Sequence, residues 1–386
     1  MRYRLTALTP LLVGGGQKLA PIDYMVWKDQ VNVLDQTRIF KLLARGTRLE
    51  GYLSQLRRAE RLDFASWGGF AQNFADRRIG FEHPSAAGYL DKARGDSLFI
   101  PLFHSGPQGQ YLPGSALKGA LRTGMVFSRW SAGAIRDLGA RLEKDRIPRR
   151  PAESAEQQAL GNPGHNRLRF FSVSDSTPIS PANLQIFLLR TATLEQRNNR
   201  LELGWKTAPR GAVENRRVEE STAAFAEMVR PGTTFEGDWR EPAMFRNPAM
   251  LEALRWRDVP ERSHLFSASN RYAASVLELH KGYAERAGLP HLLDSIRGLE
   301  SRLGAIRDAA NACLVCLGWG GGLLSKSAFL ETENEDYRNI LKLVPLYSRA
   351  MATGMPFPKT RKIVFLGNQP ATLPGWALLE VAPSSD

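Results

Sequence analysis

The stretch that decides how this sequence is interpreted is Pro113–Arg122, which reads PGSALKGALR. A proline-glycine turn opens here into apolar residues at helical spacing, and they predict a helix over 115–130 with Ser115 as its N-cap. Lys118 and Arg122 are four residues apart and share one face of that helix. A cation in the first turn opposes the helix macrodipole unless an anion binds nearby. The segment favours a phosphate site, and a solvated basic face is the alternative.

A second segment of the same kind is Gly318–Ser327, which reads GWGGGLLSKS. Consecutive glycines can form nests of N–H groups that bind anions, Trp319 offers a flat face for a base, and Lys326 can neutralise a phosphate. The alternative is a tight turn between buried elements with the indole in the core. Glycines also let a nucleic-acid backbone approach closely. Those of the two segments are Gly114 and Gly119 in the first and Gly318, Gly320, Gly321 and Gly322 in the second.

Composition points to the same class of partner. The 386 residues carry 52 lysines and arginines against 39 acidic residues, for a formal charge of +13, and arginine is preferred over lysine. Arginine forks match phosphate oxygens and stack on bases, so nucleic acid is the first candidate and mere solubility the alternative. Apolar content of 43% excludes global disorder.

The cellular setting follows from what the sequence lacks. Two cysteines give no disulfide framework, the first nine residues lack the apolar stretch of a signal peptide, and no run or basic amphipathic anchor suggests a membrane. We therefore expect a cytoplasmic protein without a membrane partner.

The order of elements predicts an α+β protein of two domains. Arg2–Leu8 alternates as a half-buried strand does, and residues 38–61 have helical spacing. The domain boundary is placed near residue 180, giving halves 1–180 and 181–386. Each half has strands, a helical insertion and a glycine-rich basic segment. Further strands are predicted at 31–34, 98–102, 169–174, 183–190, 233–239, 362–366 and 376–381, and helices over much of 250–312.

Three motifs resemble catalytic or metal sites by chance. Gly320–Ser327 approaches a phosphate-binding loop but has Ser325 where the second glycine belongs. Ser115 and Lys118 match the S-x-x-K of penicillin-binding enzymes, whose other two motifs are imperfect here. Cys313 and Cys316 form a lone C-x-x-C in an apolar run, which indicates packed core rather than zinc. We therefore expect no metal or cofactor.

Taken together, these features resemble the repeat-associated mysterious protein (RAMP) superfamily of CRISPR systems. Leu112–Arg122 is close to the superfamily's IPGSSLKGALR segment, and the opening strand with Gly14–Gly16 and the Gly318–Lys326 loop also fit. Within the superfamily the sequence is most similar to the fifth subunit of the type III-A (Csm) complex. Asp23-Tyr24, Val33–Asp35 and Pro356–Arg361 carry that narrower resemblance.

The resemblance implies two ferredoxin-like (RRM-like) domains with helical insertions. It also implies a place at the end of the complex that receives the 3′ part of the CRISPR RNA (crRNA), a role in maturing that end, and the following partners: crRNA, target RNA, the repeating backbone subunit, the small subunit and host nucleases that trim the RNA. The residues it assigns to RNA contact are Gly114, Ser115, Lys118, Arg122, Gly318, Trp319, Gly320, Gly321, Gly322 and Lys326, with Arg216 and Arg217 as further candidates. The aromatic string of an ordinary RNA-recognition motif is absent, so base stacking on a sheet is not expected.

The leading hypothesis is therefore a non-catalytic RNA-binding subunit. Two alternatives remain. One is a metal-independent endoribonuclease that processes precursor crRNA, for which His165 or His104 with Lys118 is the best available set of groups. The other is the equivalent subunit of a different type III complex.

Overall fold

The computed structural model describes residues 1–44, 48–58, 73–144, 150, 152–198, 200–207, 214–215, 217–352 and 355–382. Its helices are α1 (Gln36–Leu43), α2 (Leu49–Arg58), α3 (Ser85–Lys92), α4 (Gly114–Arg129), α5 (Ala132–Lys144), α6 (Glu153–Leu160), α7 (Pro248–Ala253), α8 (Arg262–Arg286), α9 (Pro290–Gly304), α10 (Glu335–Leu343) and α11 (Pro345–Ala352). Its strands are β1 (Arg2–Ala7), β2 (Lys18–Leu19), β3 (Tyr24–Trp27), β4 (Gln30–Leu34), β5 (Ala75–Gly80), β6 (Ile100–Pro101), β7 (Ser105–Gly106), β8 (Gly109–Gln110), β9 (Ser172–Val173), β10 (Leu184–Arg197), β11 (Arg200–Lys206), β12 (Glu214–Asn215), β13 (Ala224–Val229), β14 (Thr234–Arg240), β15 (Ala312–Cys316), β16 (Thr360–Leu366), β17 (Gln369–Thr372) and β18 (Trp376–Ala382).

The first sheet is built around the N-terminal strand. Among the described residues its strand order is β15-β18-β1-β14-β9, and every neighbouring pair is antiparallel. Because β1 alternates apolar and polar residues, Tyr3 and Leu5 point into the core while Arg2 and Arg4 stay in solvent. Helices α4 and α8 cover the buried face. They approach so closely that a Cβ added at Gly124 would lie 2.8 Å from a backbone atom of the facing helix.

The second sheet is built around β10. The first half of β10 pairs with β13 and its second half with β11, while β16 pairs along its other edge. The strand is 14 residues long and almost entirely buried, so it belongs to the cores on both faces of its sheet. The sequence predicted only 183–190 as strand, because the polar residues that follow hide its continuation.

A small insertion packs against this second sheet. Strands β3, β4 and β5 form an antiparallel sheet of their own, with α1 and α2 in the connection between β4 and β5. The insertion is joined to β13 by an ion pair, in which Nη1 of Arg77 lies 2.6 Å from Oε1 of the fully buried Glu227. The other carboxylate oxygen of Glu227 accepts a hydrogen bond from the backbone N–H of Phe103 at 3.1 Å.

The α+β class predicted from the sequence is confirmed. In the first sheet β1, β9, β14 and β18 lie in the order fourth-first-third-second, with α4 after the first and α8 after the third, as in ferredoxin-like folds. The second sheet does not repeat that order, so the ferredoxin-like description of both halves stays a prediction. The strands of the two sheets alternate along the chain, because β14 and β15 of the first sheet lie between β13 and β16 of the second. The division into domains at residue 180 also stays a prediction.

Several local predictions need correction. Pro113, not Ser115, is the N-cap of α4, and no side chain caps the helix there. The expected helix over 38–61 is α1 and α2, with part of 38–61 outside the described residues. The expected strand over 169–174 is reduced to β9, because residues 167–170 form a 3₁₀ turn.

Candidate nucleic-acid interface

The two glycine-rich segments, far apart in the chain, meet at one groove. This groove has a volume of about 550 Å³ and is called the glycine groove below. Its walls are the loop over residues 12–18, one face of α4 and the loop that follows β15. The α4 residues that line it are Ala116, Gly119, Ala120 and Thr123, and those of the later loop include Gly318, Trp319, Ser325 and Lys326.

The helix wall of the glycine groove is smooth because its side chains are small. Gly119 is exposed, and a Cβ added to it would meet no atom within 4 Å. A glycine in the middle of a helix costs about 1 kcal/mol relative to alanine. Among the described residues none requires a glycine at this position, and the missing side chain leaves open space in the groove.

The loop wall lies directly against the backbone of the 12–18 segment. The backbone N–H of Trp319 donates to the carbonyl oxygen of Leu12 at 2.7 Å. Gly318 has a φ of +83°, and a Cβ there would lie 2.2 Å from the same carbonyl oxygen. Only glycine accepts both the left-handed backbone and this close approach. The two segments are therefore joined through their backbones at this wall.

Lysines stand at the groove's edges. The exposed Lys18 and Lys326 both line it, and the ammonium of Lys18 lies 4.2 Å from the centroid of the Phe99 ring. Lys18 and Lys362, which lies beside Trp319, were not among the residues assigned from the sequence. The alternation of polar and apolar residues in Thr360–Leu366 was the available signal for Lys362.

The basic residues of α4 have partners inside the protein. Nζ of Lys118 donates to the carbonyl oxygen of Phe171 at 2.9 Å and lies 4.8 Å from that ring's centroid, and burial lowers the pKa of this lysine. Arg122 forms an ion pair with Glu156. Both side chains thus fasten α4 to the segment that includes α6. Their role as RNA contacts stays a prediction.

The start of α4 already holds an anion from the chain itself. The backbone N–H of Gly114 donates to Oδ1 of Asp175 at 2.8 Å, so a carboxylate occupies the position expected for a phosphate. A Cβ at Gly114 would lie 2.4 Å from the carbonyl oxygen of Val173, so packing alone accounts for this glycine. Ser115 is exposed beside it.

The remaining predicted residues lie in different places. Gly320, Gly321 and Gly322 belong to the loop that carries Trp319 but do not line the glycine groove. Arg217 is exposed and forms an ion pair with Glu220 at 3.3 Å. Arg216 lies outside the described residues.

The cysteine pair and the two candidate catalytic histidines are held by contacts within the fold. Cys313 and Cys316 are buried in β15, where burial raises the pKa of both thiols, that of Cys316 to about 12. No group of three or more potential metal ligands occurs in the described ranges of the chain. His104 bonds Tyr111 through Nε2 at 2.8 Å, and the backbone of His165 accepts from Trp256.

Comparison with known proteins defines the class. A model of the RAMP superfamily matches residues 4–264, which is more than half of the chain. The protein therefore belongs to the RAMP superfamily.

Two solved structures share the fold of this chain. One similar chain comes from the cryo-EM structure of a Csm-crRNA-target RNA ternary complex of a type III-A CRISPR-Cas system, with 20% identity, a TM-score of 0.68, and coverage of 98% of this chain and 100% of the other. Another is the crystal structure of T. onnurineus Csm5, with 17% identity, a TM-score of 0.61 and the same coverage. The fold is thus that of Csm5-like RAMP proteins. A comparison with curated proteins gives no significant match. Across the described residues, no helix is long and apolar enough to cross a membrane.

Proposed function

We propose that this chain is an RNA-binding subunit of a type III-A CRISPR effector complex, in which it holds the 3′ part of the crRNA and contributes to its maturation. Membership of the RAMP superfamily and the whole-length likeness to a chain of a Csm-crRNA-target RNA complex support this. The observation that carries the proposal is the glycine groove, where two glycine-rich walls and exposed lysines face one space.

The glycine groove suits a phosphate backbone rather than a flat base. Its small residues let a backbone approach α4 closely, and the loop after β15 presents main-chain groups. Lys18 and Lys326 supply charge at the edges. Contacts of this kind bind any sequence and weaken as salt rises, because phosphate neutralisation releases counterions. A guide-holding subunit needs this kind of recognition, since guide sequences vary.

The same geometry favours a non-catalytic role. An endoribonuclease without metal needs a base and an acid converging on one phosphate. His104 forms a hydrogen bond with Tyr111, whereas Lys118 donates one to the backbone of Phe171. Neither His104 nor His165 lines the glycine groove. We therefore propose that host nucleases trim the RNA and that this chain positions it. The backbone subunit, the small subunit and target RNA are the further partners proposed.

One experiment tests binding and cleavage together. The purified protein is incubated with labelled precursor crRNA in three forms: wild type, Gly119→Glu and Gly119→Ala. The glutamate places a negative charge and a side chain in the groove, so binding should fall at least tenfold, while alanine is the matched control that keeps the groove neutral. The proposal predicts binding without cleavage.

Two results would contradict it. Equal binding by all three forms would mean that the glycine groove does not bind the RNA. Specific cleavage in the presence of a chelator places the protein among the endoribonucleases instead.

A further inference from the structure

A second groove lies on the far side of Trp319. It has a volume of about 480 Å³, within the range of small-ligand sites, and is called the threonine groove below. Its floor is the second sheet, with residues from β10, β11, β13 and β16. Pro101 and Trp319 line both grooves, so the two spaces are neighbours separated by these side chains.

The floor of the threonine groove breaks the apolar pattern of its own sheet face. In the pairing of β10 with β16, Leu189 is opposite Val364 and Thr191 is opposite Lys362, and directly opposed residues share a face. Leu189 and Val364 are fully buried in the core between the sheets. Further along the same face, hydroxyl groups and an ammonium replace the apolar side chains.

Lys362 lacks the partner that a half-buried ammonium usually has. Its Nζ lies 4.0 Å from the centroid of the Trp319 ring. Across the residues that the structure describes, no carboxylate or other acceptor lies within hydrogen-bonding distance of it. Burial lowers the pKa of Lys362 to about 8, and within the described part of the chain no acidic group opposes that shift. Asp96 also lines the groove but is exposed, and Lys206 adds a second ammonium.

The hydroxyl groups around Lys362 can complete an anion site. Thr191, Thr222 and Thr360 line the threonine groove together with the ammonium. A phosphate accepts charge-assisted hydrogen bonds from ammonium and hydroxyl donors, and such bonds are about twice as strong as neutral ones. A carboxylate or a phosphate could accept hydrogen bonds from Lys362. Because the glycine groove is adjacent, RNA bound there would bring a phosphate closest to this ammonium.

We propose that the threonine groove binds a phosphate of the same RNA strand that the glycine groove holds, with Lys362 as the charged contact. The inference rests on the proposed function and extends it, because the strand then crosses Trp319 and continues onto the second sheet. The ammonium occupies one face of the indole, so no base stacks on that face.

The test measures the affinity of a fluorescein-labelled single-stranded oligouridylate for the full chain across a range of salt concentrations. Lys362→Met removes the charge and keeps the apolar stem. Each phosphate contact to a single strand contributes about 0.7 to the slope of log affinity against log salt. We expect this variant to bind about threefold or more weakly at low salt and to lose about 0.7 of the slope. Lys362→Arg should restore both values.

Two controls separate this inference from the proposed function. Lys342→Met removes an exposed lysine of α10 that lines neither groove, and should leave affinity and slope unchanged. Gly119→Glu blocks the glycine groove alone. If Gly119→Glu weakens binding while Lys362→Met matches Lys342→Met, the threonine groove is not a phosphate site and the proposed function stands. If Lys362→Met weakens binding while Gly119→Glu does not, the proposed site fails and the Lys362 contact stands.

Discussion

The ion pair that fastens the insertion to the second sheet makes a quantitative prediction. Glu227 is fully buried, and burial raises the pKa of its carboxyl although Arg77 opposes that shift. Arg77→Met would leave a buried carboxylate with the Phe103 N–H as its remaining contact. Losing one partner of a buried pair costs about 3–5 kcal/mol. Binding a proton instead costs about 1.4 kcal/mol for each pH unit above the ordinary pKa of 4.5.

Protonation therefore limits the penalty of Arg77→Met to about 3.4 kcal/mol at pH 7 and about 0.7 kcal/mol at pH 5. The loss of stability shrinks in acid because Glu227 of the folded variant binds a proton more tightly than the same residue in the unfolded chain does. Urea unfolding of wild type and variant at both pH values measures this, with Arg77→Met/Glu227→Gln as the control that removes the charge. A loss of stability that is equal at pH 5 and pH 7, or no loss at all, would refute the reasoning.

Three further predictions follow from single positions. Gly318→Ala should lower the melting temperature clearly more than Gly322→Ala. Both glycines have a positive φ, which costs an alanine about 1–2 kcal/mol, but only the Cβ at Gly318 would also collide with a carbonyl oxygen. Equal shifts would contradict the close approach. His280 is buried and accepts from Nε of Arg361, and burial puts its pKa well below 6.5. Wild type should therefore lose stability relative to His280→Gln as pH falls below about 6.5, where the unfolded histidine binds a proton, by up to about 1.4 kcal/mol per pH unit; parallel stability curves would exclude this. Gly119→Ala should stabilise the fold by about 0.5–1 kcal/mol in a thermal melt, and a loss of stability would mean that this helix face is packed.

The sequence predicted elements that carry a clear period. Strand β1 ends one residue before its predicted bound, and helix α4 both begins and ends one residue early. The agreement is close because strict alternation and i, i+3, i+4 spacing both follow from burial of one face. In the insertion, β4 and the helical region of α1 and α2 were predicted, whereas β3 and β5 were missed because β3 is only four residues long and β5 is mostly polar. The end of β10 was missed because buried Thr193 and Glu195 look like surface residues in the sequence.

The candidate site was predictable only in pieces. Gly318, Trp319 and Lys326 were identified from the sequence, and the structure adds that they line one groove with Gly119 of α4. What sequence reasoning could not supply is tertiary pairing. The carboxylate of Asp175 comes to the start of α4 from 61 residues away, and Lys118 finds a carbonyl oxygen 53 residues away. Local patterns contain no information about either partner.

The central claim is that RNA lies in the glycine groove, and crosslinking tests it most directly. The protein is assembled with crRNA that carries 4-thiouridine, irradiated, digested, and the crosslinked peptides are identified by mass spectrometry. The account predicts crosslinks in the three walls of the groove, at residues 12–18, 116–123 and 318–326. Crosslinks confined to other surfaces, such as the insertion formed by β3, β4 and β5, would contradict it.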